Sequence, residues 1–195
     1  MRRASCVAVM VASAIAAACR GAKEPGREPS RHYGLGHTAS VAEIAERDID
    51  AGPDGAGLPA GNGTVAQGGT IFTQKCASCH GANGEGRPPM YPALVGRDPS
   101  AENFVFGRNP NLKRTIGNYW PYATTVFDYV RRAMPQTAPG SLTNDELYAV
   151  TAYLLAANQV IPTDASLDAH SLAAVKMPYV TRFVPDNRRG GPEVK

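Results

Sequence analysis

The chain has 195 residues, of which 43% are hydrophobic and 19% are charged, and its formal net charge at pH 7 is +3. Residues 1–18 contain two arginines, Arg2 and Arg3, and no acidic residue, so removing them lowers the charge from +3 to +1. A charge this small excludes a nucleic-acid-binding protein, and the length suits one domain with extensions.

The N-terminal residues 1–18 have the pattern of a signal peptide. A charged start is followed by the apolar run Ala4 to Ala18, which is too short for a permanent membrane-spanning helix. The run ends in small residues before Cys19, which resembles a bacterial lipobox with Ala in place of the usual Leu. We therefore expect Cys19 to be lipidated and to anchor the protein on the periplasmic side of a membrane. The alternative is ordinary cleavage after an A-x-A sequence, which gives a soluble periplasmic protein.

The next residues carry little that can form a core. Residues 19–31 are charged and contain Pro and Gly, which predicts a flexible tether. In the N-terminal extension, residues 32–66, Val41–Arg47 is a short helical candidate and the Gly/Pro-rich stretch Gly52–Gly63 predicts a loop. We expect this extension to pack on another structure. After the leader, the sequence has no segment long and apolar enough to cross a membrane.

The compact domain is predicted over residues 67–160. It opens with a helix predicted over Ala66–His80, which ends in the sequence Cys76-Ala77-Ser78-Cys79-His80. C-x-x-C-H is the attachment signature of a c-type haem. Two thiols three positions apart reach the two vinyl groups of one porphyrin edge, and the following imidazole lies under the iron. We therefore expect one covalent haem c, with Cys76 and Cys79 as thioether residues and His80 as an iron ligand.

Two other uses of a C-x-x-C pair are disfavoured by its surroundings. A thioredoxin-like redox pair belongs in a βαβ setting, and no alternating, strand-like run precedes Cys76. A structural zinc site needs further Cys or His ligands, and the remaining cysteines, Cys6 and Cys19, both fall at the N-terminal leader.

The remaining elements of the domain are also helical. A helix is predicted over Thr124 to Ala133, closed by Met134-Pro135 because the residue before a proline disfavours the helical conformation. The last helix starts at Thr143, which forms a capping box with Glu146. Residues 161–195 contain four prolines and few apolar clusters, which predicts an irregular arm. The sequence therefore predicts an all-α fold with irregular N- and C-terminal extensions. Its elements are helical, it has no clear strand pattern, and a cofactor fills part of the core.

Residues 67–160 resemble a class I cytochrome c. The resemblance rests on the haem motif, on Gly68 and Phe72 at eight and four positions before the first haem cysteine, and on Pro92-Ala-Leu-Val-Gly96 in place of the family's P-x-L-x-G. It implies that Gly68 and Phe72 pack on the last helix, near Val150 and Tyr153. It also implies that the Pro92 carbonyl accepts a hydrogen bond from His80 Nδ1, which orients the imidazole and raises its basicity.

The same resemblance implies that Met134 is the sixth iron ligand, because the family supplies its thioether from the loop between the last two helices. Met177 precedes a proline in the same way but follows the final helix, and Met90 lies close to the haem histidine along the chain. A histidine (His32, His37 or His170) or an open position is the remaining alternative. Methionine ligation raises the potential relative to two histidines, which suits an electron carrier.

Three further residues are candidates for the haem environment. Arg114, Tyr119 and Trp120 have N–H or O–H groups suited to the haem propionates. The alternative is that the aromatic residues belong to the core and the arginine is solvated. Arg131 and Arg132 precede the ligand loop, where they either steer an acidic partner or simply favour the C-terminus of their helix.

A narrower resemblance covers most of the mature chain. Residues 114–135 and 138–149, with Tyr33-Gly-Leu-Gly-His-Thr-Ala and residues 168–178, are similar to the cytochrome subunit of sulfite or sulfane dehydrogenases. This resemblance implies an electron-transfer subunit that is not itself an enzyme. A molybdopterin-containing subunit would oxidise the sulfur compound, and a downstream cytochrome or oxidase would take the electrons.

Two other functions stay open from the sequence. The first is a membrane-tethered shuttle that serves a terminal oxidase or another dehydrogenase, with residues 19–31 giving a high local concentration at the membrane. The second is a haem sensor or peroxidase, which requires a weak or absent Met134 bond; the sequence offers no distal acid or base for it.

Overall fold

The computed structural model describes residues 33–97, 109 and 111–184. The predicted leader 1–18, Cys19 and the tether 19–31 lie outside the described residues. The chain divides into two compact units, Met1–Glu43 and Ile44–Lys195.

The first helix, α1, spans Val41–Arg47, as the sequence predicts. Ser40 and Glu43 cap it reciprocally: Ser40 Oγ accepts a hydrogen bond from Glu43 N at 3.3 Å, and Glu43 Oε2 accepts one from Ser40 N at 2.8 Å. Every residue of α1 is exposed. The helix is therefore held by its cap rather than by burial of an apolar face.

The helix that carries the haem motif is not continuous, so the prediction of one helix over Ala66–His80 is wrong. Helix α2 spans Val65–Lys75, and the short helix α3 spans Ala77–His80. The break falls at Cys76, whose φ is −123°. Its N–H still donates to the last turn of α2, while its carbonyl accepts from the N–H groups of both Cys79 and His80, at 3.1 and 2.9 Å. The chain thus turns at the first haem cysteine.

Two longer helices complete the core. Helix α4 spans Ala123–Ala133, one residue longer than predicted, and helix α5 spans Asn144–Ala157 with the predicted capping box of Thr143 and Glu146. Helix α5 is buried on most of its surface because α2, α4 and the first strand all pack against it. Its most extensive packing is against α2. A side chain at Gly68 of α2 would collide with the Ala149 carbonyl of α5, so glycine is required for this approach.

A small antiparallel ribbon joins the two extensions to the helices. Strand β1, Asn62–Thr64, pairs with β2, Ser166–Asp168, so that Gly63 lies opposite Leu167. Neither strand is apparent from the sequence, in which Asn62 and Gly63 belong to a Gly/Pro-rich stretch predicted to be a loop. Helix α6, Ala169–Ala174, follows directly, and a 3-10 helix spans Val180–Arg182.

One hydrophobic core gathers residues from α2, α4 and α5 and from the C-terminal arm. The arm contributes Leu167, Leu172 and Met177, all of which are buried. Residues 161–184, the described part of the arm, therefore pack on the domain, although many of them lie outside helices and strands. The all-α class with irregular extensions is confirmed. In the ranges given above, no helix combines the length and the apolar character needed to cross a membrane.

Candidate haem site

The two cysteines of the motif lie at the start and near the end of one short turn. Cys76 and Cys79 are half-buried and are not joined by a disulfide. Burial raises the pKa of the Cys76 thiol to about 11. A reactive or metal-binding thiol normally has a lowered pKa, so the surroundings of Cys76 do not favour a reactive thiolate at this position.

The ring of His80 is held by the loop that follows the motif. His80 Nδ1 lies 3.1 Å from the Pro92 carbonyl oxygen, which is the hydrogen bond implied by the family resemblance. Because a carbonyl only accepts, Nδ1 carries the proton and Nε2 keeps its lone pair for a metal. The Gly86 N–H donates to the His80 carbonyl at 2.7 Å, and the Leu94 N–H donates to Gly84 at 2.8 Å. These bonds fold the loop back on α3.

The candidate sixth ligands differ in their surroundings. Met134 follows the last turn of α4, to which its N–H donates, and its half-buried side chain packs at the border of the core. Met177 is 3% exposed within the core, whereas Met90 is 77% exposed. His37 pairs with Glu43 at 3.2 Å. His32 lies outside the described residues. Met134 as the iron ligand stays a prediction.

The candidate propionate partners already make contacts within the chain. Trp120 Nε1 donates to Thr125 Oγ1 at 2.8 Å. The Arg114 guanidinium carbon lies 5.4 Å from the centroid of the Tyr119 ring, and that ring meets Phe183 edge-on at 5.7 Å. Contact of Arg114, Tyr119 or Trp120 with a propionate stays a prediction.

The two arginines of α4 hold the N-terminal extension and the helix itself. Arg131 Nη1 donates to the Ile49 carbonyl at 2.7 Å. Arg132 forms an ion pair with Asp128 one turn earlier, and Asp128 Oδ1 also accepts from the Ala51 N–H at 2.9 Å. These contacts favour an intramolecular role for the pair over the steering of a partner.

The residues around the motif fit a porphyrin. The apolar side chains that pack against the core and are only partly covered include Leu94, Trp120 and Met134. They come from the loop of Pro92, the segment before α4 and the segment after it. The thiols of Cys76 and Cys79 at the junction of α2 and α3, the Nε2 lone pair of His80 and these apolar side chains form a set of groups suited to haem.

Comparison with known proteins shows the family to which the chain belongs. The sequence model of a family described as Cytochrome c matches residues 65–158. The crystal structure of the sulfane dehydrogenase SoxCD from Paracoccus pantotrophus contains a chain that is 41% identical, with a TM-score of 0.68. That match covers 80% of this chain and 74% of the other. The chain belongs to the cytochrome c family.

The cytochrome carries covalently bound haem c at the C-x-x-C-H motif, and its fold is that of a class I cytochrome c. When bound, haem supplies a one-electron Fe(III)/Fe(II) couple, so the protein is an electron carrier. Cys76 and Cys79 would hold the porphyrin, His80 would bind the iron, and the Pro92 carbonyl would orient the imidazole through the bond to Nδ1.

The cytochrome is also similar to the thiosulfate dehydrogenase of Stutzerimonas stutzeri (strain A1501). The two are 26% identical over 125 residues, which is 62% of this chain. The chain spans only 36% of the length of that protein.

Two residues of the site were not found from the sequence. The Tyr91 ring meets the His80 ring edge-on, with the centroids 6.3 Å apart. Asn158, at the end of α5, is 1% exposed and binds the loop of Pro92. Asparagine is a common residue at helix ends, so its position indicated where α5 stops, but no spacing rule connects it to the haem motif.

Proposed function

We propose that this cytochrome accepts electrons one at a time from a molybdopterin-containing dehydrogenase subunit that oxidises a sulfur compound. A downstream cytochrome or oxidase then receives them. The observation that carries this proposal is the extent of the match to the SoxCD structure. At 41% identity it covers 80% of the chain, well beyond residues 65–158 that match the Cytochrome c family model.

The parts of the chain outside the haem domain support a role in a complex. Tyr148 Oη donates to the Pro59 carbonyl at 2.7 Å, and the Asp128 and Arg131 contacts fix residues 49–51. Farther toward the N-terminus, Tyr33, Leu35 and Val41 are 75%, 87% and 85% exposed. All three lie within nine residues of one segment, which makes this segment a candidate for protein contact. A free carrier has no need of them, whereas a subunit can bury them against its partner.

The chemistry of sulfur oxidation requires such a carrier. Oxidation of sulfite to sulfate consumes water and releases two electrons and two protons, whereas one haem accepts a single electron. The cytochrome must therefore react twice for each sulfite, and the substrate chemistry belongs to the partner. Sulfane sulfur and thiosulfate, the substrates named for the similar proteins, are the other candidate electron sources.

The test is reconstitution with a candidate molybdopterin-containing dehydrogenase subunit from the same organism. The two proteins are expressed together, with the tag on the molybdopterin subunit, and the purified fraction is assayed with sulfite, thiosulfate and a sulfane-sulfur donor. We expect the cytochrome to co-purify and to raise the oxidation rate with at least one of these compounds. A cytochrome that neither binds the subunit nor changes any of these rates would overturn the proposal.

A second candidate is a membrane-tethered shuttle on the periplasmic side, and the small residues before Cys19 favour it. In this case the lipid at Cys19 and the tether 19–31 keep the haem domain near a respiratory complex. This candidate predicts that electron transfer depends on membrane attachment and not on a stable complex with the dehydrogenase.

A further inference from the structure

The side-chain amide of Asn158 uses all of its hydrogen-bonding groups. Its Nδ2 donates to the carbonyls of Leu94 and Leu154, at 3.1 and 2.8 Å. Its Oδ1 accepts from the N–H groups of Gly96 and Gly117, both at 3.1 Å. With the residue only 1% exposed, water does not compete for these bonds. One amide therefore joins the end of α5 to two separate loops.

The first of those loops is the one that holds the haem histidine. Leu94 and Gly96, on either side of Val95, are both bonded to Asn158. Pro92 lies two residues before Leu94, and its carbonyl is 3.1 Å from His80 Nδ1. A continuous path of short contacts thus runs from Asn158 through this loop to the imidazole.

The second loop is shaped around the same amide. A Cβ atom at Gly117 would lie 2.6 Å from Asn158 Oδ1, closer than carbon and oxygen approach without displacement. The Ile116 N–H donates to the Leu94 carbonyl at 3.1 Å, so both loops meet at one backbone oxygen. The backbone around Gly117 and Leu94 therefore fits closely around the Asn158 amide.

We propose that Asn158 is a positioning residue for the haem, holding the Pro92 carbonyl where it orients the His80 imidazole and sets its basicity. A carbonyl that accepts from Nδ1–H makes the imidazole a stronger electron donor and stabilises ferric iron. Loosening the loop should therefore weaken that bond and raise the reduction potential. The proposal concerns the haem alone and is independent of which protein donates the electrons.

The principal variant is Asn158→Leu, which keeps the shape of the side chain and removes every hydrogen bond that it makes. The matched control is Asn118→Leu. Asn118 is also 1% exposed, but it bonds only to the Lys113 carbonyl and the Thr115 N–H, both at 2.8 Å. Both variants lose a buried amide, and only the first loses direct hydrogen bonds to the loop of Pro92.

Three properties of the haem-loaded protein are measured: exchange of the His80 Nδ1 proton by NMR, the hyperfine-shifted haem methyl resonances of the oxidised form, and the midpoint potential. For Asn158→Leu we expect exchange that is faster by about tenfold, the scale of one lost hydrogen bond. We also expect altered methyl shifts, which report the plane of the imidazole, and a higher potential. Asn118→Leu should lose thermal stability but keep all three properties.

A second variant, Gly117→Ala, displaces the Asn158 side-chain amide without removing it. It is used for the same measurements if Asn158→Leu does not take up haem. It should change the same three properties in the same direction by a smaller amount. The proposal is overturned if the Asn158 and Gly117 variants lose only stability. It is equally overturned if Asn118→Leu changes the exchange, methyl shifts and potential as strongly as they do.

Discussion

Asp128 Oδ1 accepts a hydrogen bond from the Ala51 N–H at 2.9 Å, which joins the N-terminal extension to the helix that leads into Met134. The same carboxylate pairs with Arg132 of its own helix. The side chain of Asp128 is 9% exposed, so its charge is balanced by these two partners and not by water. Ala51 of the extension is thereby attached to the haem domain, on the helix that precedes the predicted ligand loop.

This carboxylate should make the stability of the protein depend on pH. Burial acts to raise the pKa of Asp128, but hydrogen bonds from Arg132 and the Ala51 N–H outweigh it and leave the pKa below its usual value. Because the folded-state pKa is lowered, the carboxylate stabilises the fold above the unfolded-state value of about 3.9. That contribution is lost as the pH falls through the folded-state pKa. Thermal unfolding of Asp128→Asn should therefore occur several degrees below wild type at neutral pH, with a difference that shrinks in acid.

The control for this prediction is Asp164→Asn, since Asp164 is exposed. It should follow the wild-type melting curve at every pH. The stabilising role of the Asp128 carboxylate would be contradicted by a constant difference in melting temperature between Asp128→Asn and wild type. The comparison runs from neutral pH to below the ordinary range of carboxyl pKa values.

Neighbouring glycines of α2 should respond oppositely to the same substitution. At Gly68 an added methyl group collides with the Ala149 backbone, which cannot move without separating α2 from α5. At Gly69 the methyl group would lie 3.5 Å from the Tyr153 ring, an ordinary contact. We expect Gly68→Ala to lose about 1–3 kcal/mol or more in the free energy of unfolding. Gly69→Ala should gain about 0.5–1 kcal/mol, because alanine favours the helix.

Chemical denaturation of the two haem-loaded glycine variants measures both effects. Equal losses at the two positions would mean that the approach of α2 to α5 does not depend on the missing side chain of Gly68.

The identity of the sixth ligand can be tested with three methionine substitutions. Met134→Ala should abolish the thioether-to-iron charge-transfer band of the oxidised form and lower the midpoint potential, because a methionine ligand favours ferrous iron. Met177→Leu should lower stability through imperfect packing in the core but keep the band. Met90→Leu should change neither, since Met90 is 77% exposed.

Loss of the band in Met177→Leu, with the band retained in Met134→Ala, would assign the ligand to the C-terminal arm. A wild-type protein without the band would instead favour an open site and the sensor or peroxidase alternative.

Features determined by local spacing could be predicted from the sequence. Thr143 and Glu146 form the expected cap of α5, and α4 ends before Pro135 as predicted. The haem motif is itself local, because one helical turn carries both thiols and the imidazole. In each of these cases the structural feature is determined by the types of residues that lie only a few positions apart in the chain.

Features that depend on distant contacts could not be predicted. Strands β1 and β2 have three residues each and are about a hundred positions apart, too short for a detectable alternation. The break at Cys76 depends on bifurcated bonding of its carbonyl, which a pattern of apolar residues does not encode. Asn158 likewise acquires its role only when two loops fold against the end of α5.

The lipid anchor makes a separate prediction about location. If Cys19 is lipidated, wild-type protein should sediment with membranes, and Cys19→Ala should be recovered in the soluble periplasmic fraction with its haem spectrum unchanged. Cys6→Ala is the matched control, because Cys6 lies inside the predicted signal peptide. Soluble wild-type protein would contradict lipidation and favour ordinary cleavage.

The most direct test of the electron-transfer role is anaerobic stopped-flow mixing of the oxidised cytochrome with the molybdopterin subunit and a limiting amount of sulfite. Haem absorbance follows the reduction. The account predicts that the haem is reduced within the turnover time of the dehydrogenase, with two cytochromes reduced for each sulfite consumed. Haem that stays oxidised while the same subunit passes electrons from sulfite to an artificial acceptor would contradict it.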